Sequence, residues 1–176
     1  MYSCVAQTYP MESNDYVSNE TGVYFNDQNN NLDKFEGTWI YEDANSKLTI
    51  VLQKIEYFKT GSAHSDVVVG NYVYEKNGVE VINTLTNPAT SQGSDDIYHI
   101  EMYGFRNPSK IVGDFEDPIR SKWAEYTLYL TYDGSHPANS KLLWNIHFYE
   151  FYNPDGDLDA TQELRVPYLL TLTKVQ

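Results

Sequence analysis

Residues 67–85 read Val-Val-Val-Gly-Asn-Tyr-Val-Tyr-Glu-Lys-Asn-Gly-Val-Glu-Val-Ile-Asn-Thr-Leu. Two β-rich runs, Val67 to Glu75 and Val79 to Leu85, flank Lys76-Asn77-Gly78. Asn-Gly supplies the positive φ angles that a tight hairpin turn needs, so the stretch predicts two antiparallel strands. The same period of two recurs on both sides of it. Upstream, Lys47 to Phe58 sets Leu48, Ile50 and Leu52 against Thr49, Val51 and Gln53. Gly37-Thr38-Trp39-Ile40-Tyr41 is a β-rich run before it, and Asp43-Ala44-Asn45-Ser46 reads as the turn between them. Downstream, Ile97 to Arg106 alternates Tyr98, Ile100 and Met102 with His99, Glu101 and Tyr103. Lys110 to Phe115 reads as a short strand. Lys122 to Tyr132 places Tyr126, Leu128 and Leu130 on one side. Lys141 to Tyr152 places Trp144, Ile146 and Phe148 opposite Leu143, Asn145, His147, Tyr149 and Phe151. Val166 to Val175 closes the series with Leu170 and Leu172 on one face.

About eight to ten strands in sequence order, with short connections and no long amphipathic helix, predict an all-β fold. The expected architecture is an antiparallel up-and-down meander closed into a barrel, since closure removes the exposed edges of so β-prone a chain. A length of 176 residues fits one domain with a substantial core. Residues 33–176 are assigned to the barrel and residues 1–32 to an N-terminal arm. The arm contains the polar runs Glu12-Ser13-Asn14-Asp15 and Asn26-Asp27-Gln28-Asn29-Asn30-Asn31. Tyr9, Tyr16, Val23, Tyr24 and Phe25 are available to dock it on the body. No internal repeat is visible, which argues against a propeller or solenoid.

The net charge is −13, from 12 basic and 25 acidic side chains. A nucleic-acid binder needs a concentrated positive field, and no Lys/Arg cluster supplies one, so nucleic acid is not an expected partner. The single cysteine, Cys4, allows neither an internal disulfide nor a Cys-based zinc site. No apolar run approaches the roughly 18 residues of a membrane-spanning helix.

Two segments carry a family resemblance. Phe35-Glu36-Gly37-Thr38-Trp39 resembles the Gly-x-Trp motif that opens the first strand of lipocalin-like barrels. There the glycine lets the chain pass close under the barrel and the indole plugs the closed end; the alternative is that Trp39 is an ordinary core aromatic. In lipocalins a basic side chain from the last strand often covers the tryptophan. The resemblance therefore implies a cation over Trp39, from Lys174 or from Arg165. The second segment, Tyr2-Ser3-Cys4-Val5-Ala6-Gln7, looks like the processing region of a bacterial lipoprotein, with Ser3 in the small position before a lipidated Cys4. Together with Asn77-Gly78 and Leu170-Thr171-Leu172-Thr173-Lys174, these segments resemble uncharacterised lipocalin-like lipoproteins of Gram-negative bacteria. The resemblance implies a cell-envelope address with a lipid anchor at Cys4, and no activity. It also implies that Met1 is internal to a longer precursor with a signal segment upstream. The rival address is the cytoplasm, with Cys4 an ordinary cysteine.

No catalytic constellation is recognisable, and the chain is not expected to be an enzyme. A serine nucleophile lacks its Gly-x-Ser-x-Gly elbow, and no Gly-rich phosphate loop is present. Of four histidines, His64 and His136 read as loop residues. His99 and His147 lie in strands and can meet inside a barrel near Glu101 or Glu150, although two unrelated strand residues is the more ordinary reading. Asn153 to Asp159 offers alternate oxygen ligands for Ca²⁺ but lacks the loop glycine at the required position, so no metal is expected. Asp114, Glu116 and Asp117 read as surface charge in a loop. Trp123 and Trp144 suit either a sugar platform or a core.

The function expected is non-catalytic binding of a small apolar or amphipathic ligand inside the barrel, without a cofactor. An eight-stranded barrel is either filled by side chains or holds one small ligand. Tyr72, Tyr74, His99, Tyr103, Tyr126 and His147 are the candidate lining residues. Gly37, Trp39 and Lys174 are the structural motif, and Cys4 the attachment point. The alternative is an envelope structural or interaction module with a packed barrel; a carboxylate-based hydrolase is the third reading.

Overall fold

The computed structural model describes residues 7–11, 22–60, 62–86, 98–118, 126–135, 140–148 and 164–175. They form eleven strands and one 3₁₀ turn. In chain order these are β1 (Gln7–Pro10), β2 (Val23–Asn26), the turn Asp33–Phe35, β3 (Gly37–Glu42), β4 (Ser46–Thr60) and β5 (Ala63–Lys76). β6 (Val79–Asn83), β7 (Ile100–Asn107), β8 (Lys110–Phe115), β9 (Tyr126–Asp133), β10 (Lys141–Phe148) and β11 (Leu169–Lys174) follow.

Eight strands, β3, β4, β5, β7, β8, β9, β10 and β11, close into an antiparallel barrel. The last strand pairs the first through Thr173–Ile40 and Lys174–Trp39. β5 completes the ring by pairing β7 at Val68–Met102 and Gly70–Ile100. β1, β2 and β6 lie outside the ring. β1 pairs β2, and β2 and β6 attach along β5, because that strand is longer than the barrel is tall. Its first residues take β2 in parallel, its middle takes β7, and its last residues take β6 across the Asn77-Gly78 turn. Both residues of that turn have positive φ, 53° and 74°.

The alternation read from the sequence sorts side chains to the expected faces. Leu48, Ile50 and Leu52 on β4, Leu128 and Leu130 on β9, and Leu142, Trp144 and Ile146 on β10 are buried. Tyr72, Phe115 and Trp144 pack ring against ring in the interior, at 5.1 Å and 5.2 Å between centroids. Gly113 sits where β7 crosses closest. A Cβ there would lie 1.9 Å from the Glu101 carbonyl oxygen, so no side chain fits.

Two boundaries differ from expectation. β5 begins at Ala63, not Val67, and β4 runs on to Thr60. The polar residues between them read as a loop, but their polarity is absorbed locally. Asp66, 3% exposed, accepts hydrogen bonds from Tyr24 Oη (2.5 Å) and from the backbone N–H groups of Asp27 (2.8 Å) and Tyr57 (3.1 Å). The arm thereby adds β2, and beyond it β1, to a four-stranded ledge that overhangs one barrel end. Asp114, expected in a loop, lies on β8.

That end is closed. Leu32, Phe35 and Trp39 fill it, and the Trp39 indole donates to the Phe35 carbonyl at 2.8 Å. Asp27 holds the approach to the 3₁₀ turn by accepting from the N–H groups of Asn31 and Leu32, both at 2.8 Å. Lys54 ties β4 to the same segment through Asp27 (3.1 Å) and Asp33 (2.8 Å). Lys174 Nζ stands 5.3 Å above the Trp39 ring. Gly37 is required twice: its φ is +110°, and a Cβ would meet Lys174 Cε at 3.1 Å.

Candidate functional site

The opposite end of the barrel, named the open end to distinguish it from the end plugged by Trp39, carries a second polar cluster. β5 presents Tyr72, the chain entering β7 presents His99, and the chain leaving β8 presents Glu116 and Asp117. The segment before β11 contributes Arg165. Tyr72 Oη donates to the Glu116 carbonyl at 3.0 Å, and the Glu116 N–H donates to the His99 carbonyl at 2.9 Å. His99 Nδ1 and Asn71 Oδ1 are 3.0 Å apart. The Tyr72 and His99 rings meet edge to face at 6.4 Å. Trp144 closes the floor and donates from its indole to the Pro167 carbonyl at 3.1 Å.

Asp117 is 2% exposed, and Arg165 grips both its carboxylate oxygens, Nε to Oδ2 at 2.9 Å and Nη2 to Oδ1. Such a two-pronged pair satisfies a buried carboxylate that burial alone would destabilise. Asp117 was expected as surface charge. It is instead the anchor that holds the segment before β11 onto the end of β8. Arg165, one of two candidates to cover Trp39, is spent on this pair, and Lys174 covers the indole.

Burial, and then the Asp117 charge, raises the Tyr72 hydroxyl far above its ordinary value; Arg165 opposes this only in part. Tyr72 is therefore a protonated donor. Burial holds His99 below its usual 6.5, with Glu116 and Asp117 pulling the other way. The Tyr72 hydroxyl and the Asp117–Arg165 pair thus hold the chain segments at this end together.

The other predicted lining residues disperse. Tyr74 is buried, with its hydroxyl 3.3 Å from Ser46 Oγ. Tyr103 lies on the outer face and donates to Asp114 Oδ1 at 2.9 Å. Beside it, burial and then Asp114 raise the Glu101 carboxyl above its ordinary value. His147 is exposed on the outside of β10, edge-on to Tyr129 at 5.1 Å. Parity is the reason: β10 turns Leu142, Trp144 and Ile146 inward, which sends His147 out, so His99 and His147 do not meet. His64 lies in β5, stacked on Tyr57 at 4.0 Å. Cys4, Trp123, His136, the side chain of Tyr126 and the acidic stretch 153–159 lie outside the described residues.

Sequence reasoning missed Asn71, Asp117 and Arg165 as site members. The one available signal was an arginine just ahead of the closing strand, with its partner 48 residues away in the chain. Among the described residues, no group of three or more His, Cys, Asp or Glu side chains is placed to hold a metal ion. Among the described residues no helix is long and apolar enough to cross a membrane.

A family model matches residues 1–175, and the chain belongs to that family, a family of unknown function designated DUF6705. No curated protein and no solved structure matches the chain.

Proposed function

We propose that this member of DUF6705 is a non-catalytic, lipid-anchored barrel of the cell envelope that works through its surface rather than by chemistry in its interior. The observation that carries this reading is the filled barrel. Trp39, Tyr72, Phe115 and Trp144, each no more than 2% exposed, occupy the interior, the last three with their rings in contact and Trp39 edge-on to Tyr132. An eight-stranded barrel is just wide enough for such a filling. The cluster at the open end supports it too, since its buried carboxylate, Asp117, is spent on Arg165. The anchor rests on Ser3-Cys4 ahead of a strand that begins at Gln7.

A second reading, a carrier of a small amphipathic ligand, is favoured by one feature. His99, half-buried and held below its usual pKa by burial, stands at the open end edge-on to the Tyr72 ring. Native mass spectrometry of the protein from its own host separates the readings. A lipid mass on Cys4 without a further adduct supports the surface module. A stoichiometric adduct lost on denaturation supports the carrier. An unmodified protein in the soluble fraction overturns the anchor and favours the cytoplasm.

A further inference from the structure

We infer that the barrel's closed end, led by the tip of the β4–β5 hairpin, is the surface that faces the lipid headgroups. This rests on the lipid-anchor reading and adds an orientation to it. The argument begins with strand direction. β1 runs parallel to β2, and β2 parallel to β5. Gln7 pairs Val23, and Tyr24 pairs His64, so Gln7 is level with the first residue of β5. The Gly22 N–H donates to the Ser62 carbonyl, which fixes the start of β2 at the hairpin tip. Three residue steps lead from Cys4 to Gln7, a reach of about 10 Å at most. The open end lies farther along β5, whose fourteen residues span about 45 Å. An anchor on Cys4 therefore holds the hairpin tip at the headgroups and keeps the Tyr72–His99–Arg165 end away from them.

The charge distribution agrees. At a separation of about one Debye length, roughly 10 Å, the nearest charges dominate the interaction with an anionic leaflet. Lys34, Lys59, Arg106, Lys110, Lys141 and Lys174 all lie at the closed end, against the exposed or half-buried carboxylates of Asp33, Glu36, Glu56 and Asp133. The open end presents Glu42, Asp43, Glu75, Glu80 and Glu116 against the two cations Lys47 and Lys76. Glu12, Asp15 and Glu20 between β1 and β2 dilute the contrast, so the tether sets the orientation and the charge supports it. The tip also offers an aromatic suited to the interface. Tyr57, half exposed at a bulge in β4 with φ of 57°, is stacked on His64 and meets Tyr24 edge-on at 4.9 Å.

The experiment uses the full chain, matured in its host, in vesicles of phosphatidylcholine and phosphatidylglycerol. Ser62→Cys at the tip and Asn45→Cys at the open end, both exposed sites, each carry a fluorophore read against a headgroup-borne quencher. Lys59→Cys is a second tip site should the first variant fail to fold. Mass spectrometry of the same samples reports the lipid on Cys4. Tip labels quenched severalfold more than the label at 45 support the orientation. Equal or reversed quenching on a lipidated protein overturns the orientation and leaves the anchor standing. Absence of the lipid overturns both.

Discussion

At the closed end, Trp39 is held by neighbours close to it in sequence: Phe35 four residues away, Gly37 two, with Lys174 arriving from the paired strand. At the open end, Asp117 and Arg165 meet across 48 residues, and Tyr72 reaches Glu116 across 44. The closed end is a short motif with an apolar plug and one cation. The open end is a polar network assembled by closure of the whole barrel. A local motif is stabilised by burial and is legible in sequence; a network of distant charges is stabilised by mutual satisfaction and appears only once the strands are in register.

Substitutions at the two ends test that contrast. The largest effect is expected from Trp39→Ala, which empties a fully buried site and costs about 3–5 kcal/mol, read as a fall in the urea midpoint at unchanged slope. A smaller loss would mean that the plug is not the keystone of the closed end. Asp117→Asn leaves the Arg165 guanidinium without its counter-charge and is expected to cost about 3 kcal/mol. The double variant Asp117→Leu with Arg165→Met should recover a large share of that loss; additive losses in a double-mutant cycle would break the claim that the pair acts as a unit. Gly37→Ala forces a side chain into a φ of +110° against Lys174 and should cost about 1–3 kcal/mol by the same urea assay.

Lys174→Met keeps the stem over the indole and removes the charge, so a loss of about 1 kcal/mol is expected. The smallest effect is a pH dependence at the open end. Burial lowers the folded-state pKa of His99, so the folded protein binds fewer protons there than the unfolded chain. The contribution is full above the unfolded value of 6.5 and is lost as pH falls from there toward the lower folded value. Thermal midpoints of the wild type and His99→Gln should converge across that window as pH falls. Parallel midpoints would show that the ring is not desolvated as its surroundings require.

Much of the barrel is readable from the alternation of Leu48, Ile50 and Leu52, from Leu142, Trp144 and Ile146, and from the Asn77-Gly78 turn. The Gly-x-Trp segment was readable for a similar reason: backbone and ring requirements fall within three residues. The hairpin tip was not, because Ser65 and Asp66 look like loop residues until β2 supplies their partners. Of the six candidate lining residues, Tyr72 and Tyr74 are buried and His99 stands at the open end, while Tyr103 and His147 face outward. Alternation yields two faces per strand without saying which is inside, and that choice is made by barrel closure.

Residue order by itself determined the strands, their turns, the glycine and tryptophan of the closed end, and the strong acidity, since each depends on neighbours a few residues apart. Tertiary structure alone decided which face of each strand looks inward, that Asp117 is buried rather than solvated, and which cation covers Trp39. It also decided that the arm's first strand starts beside the β4–β5 tip. These depend on ring closure and on strand direction, which bring together residues that no local pattern connects.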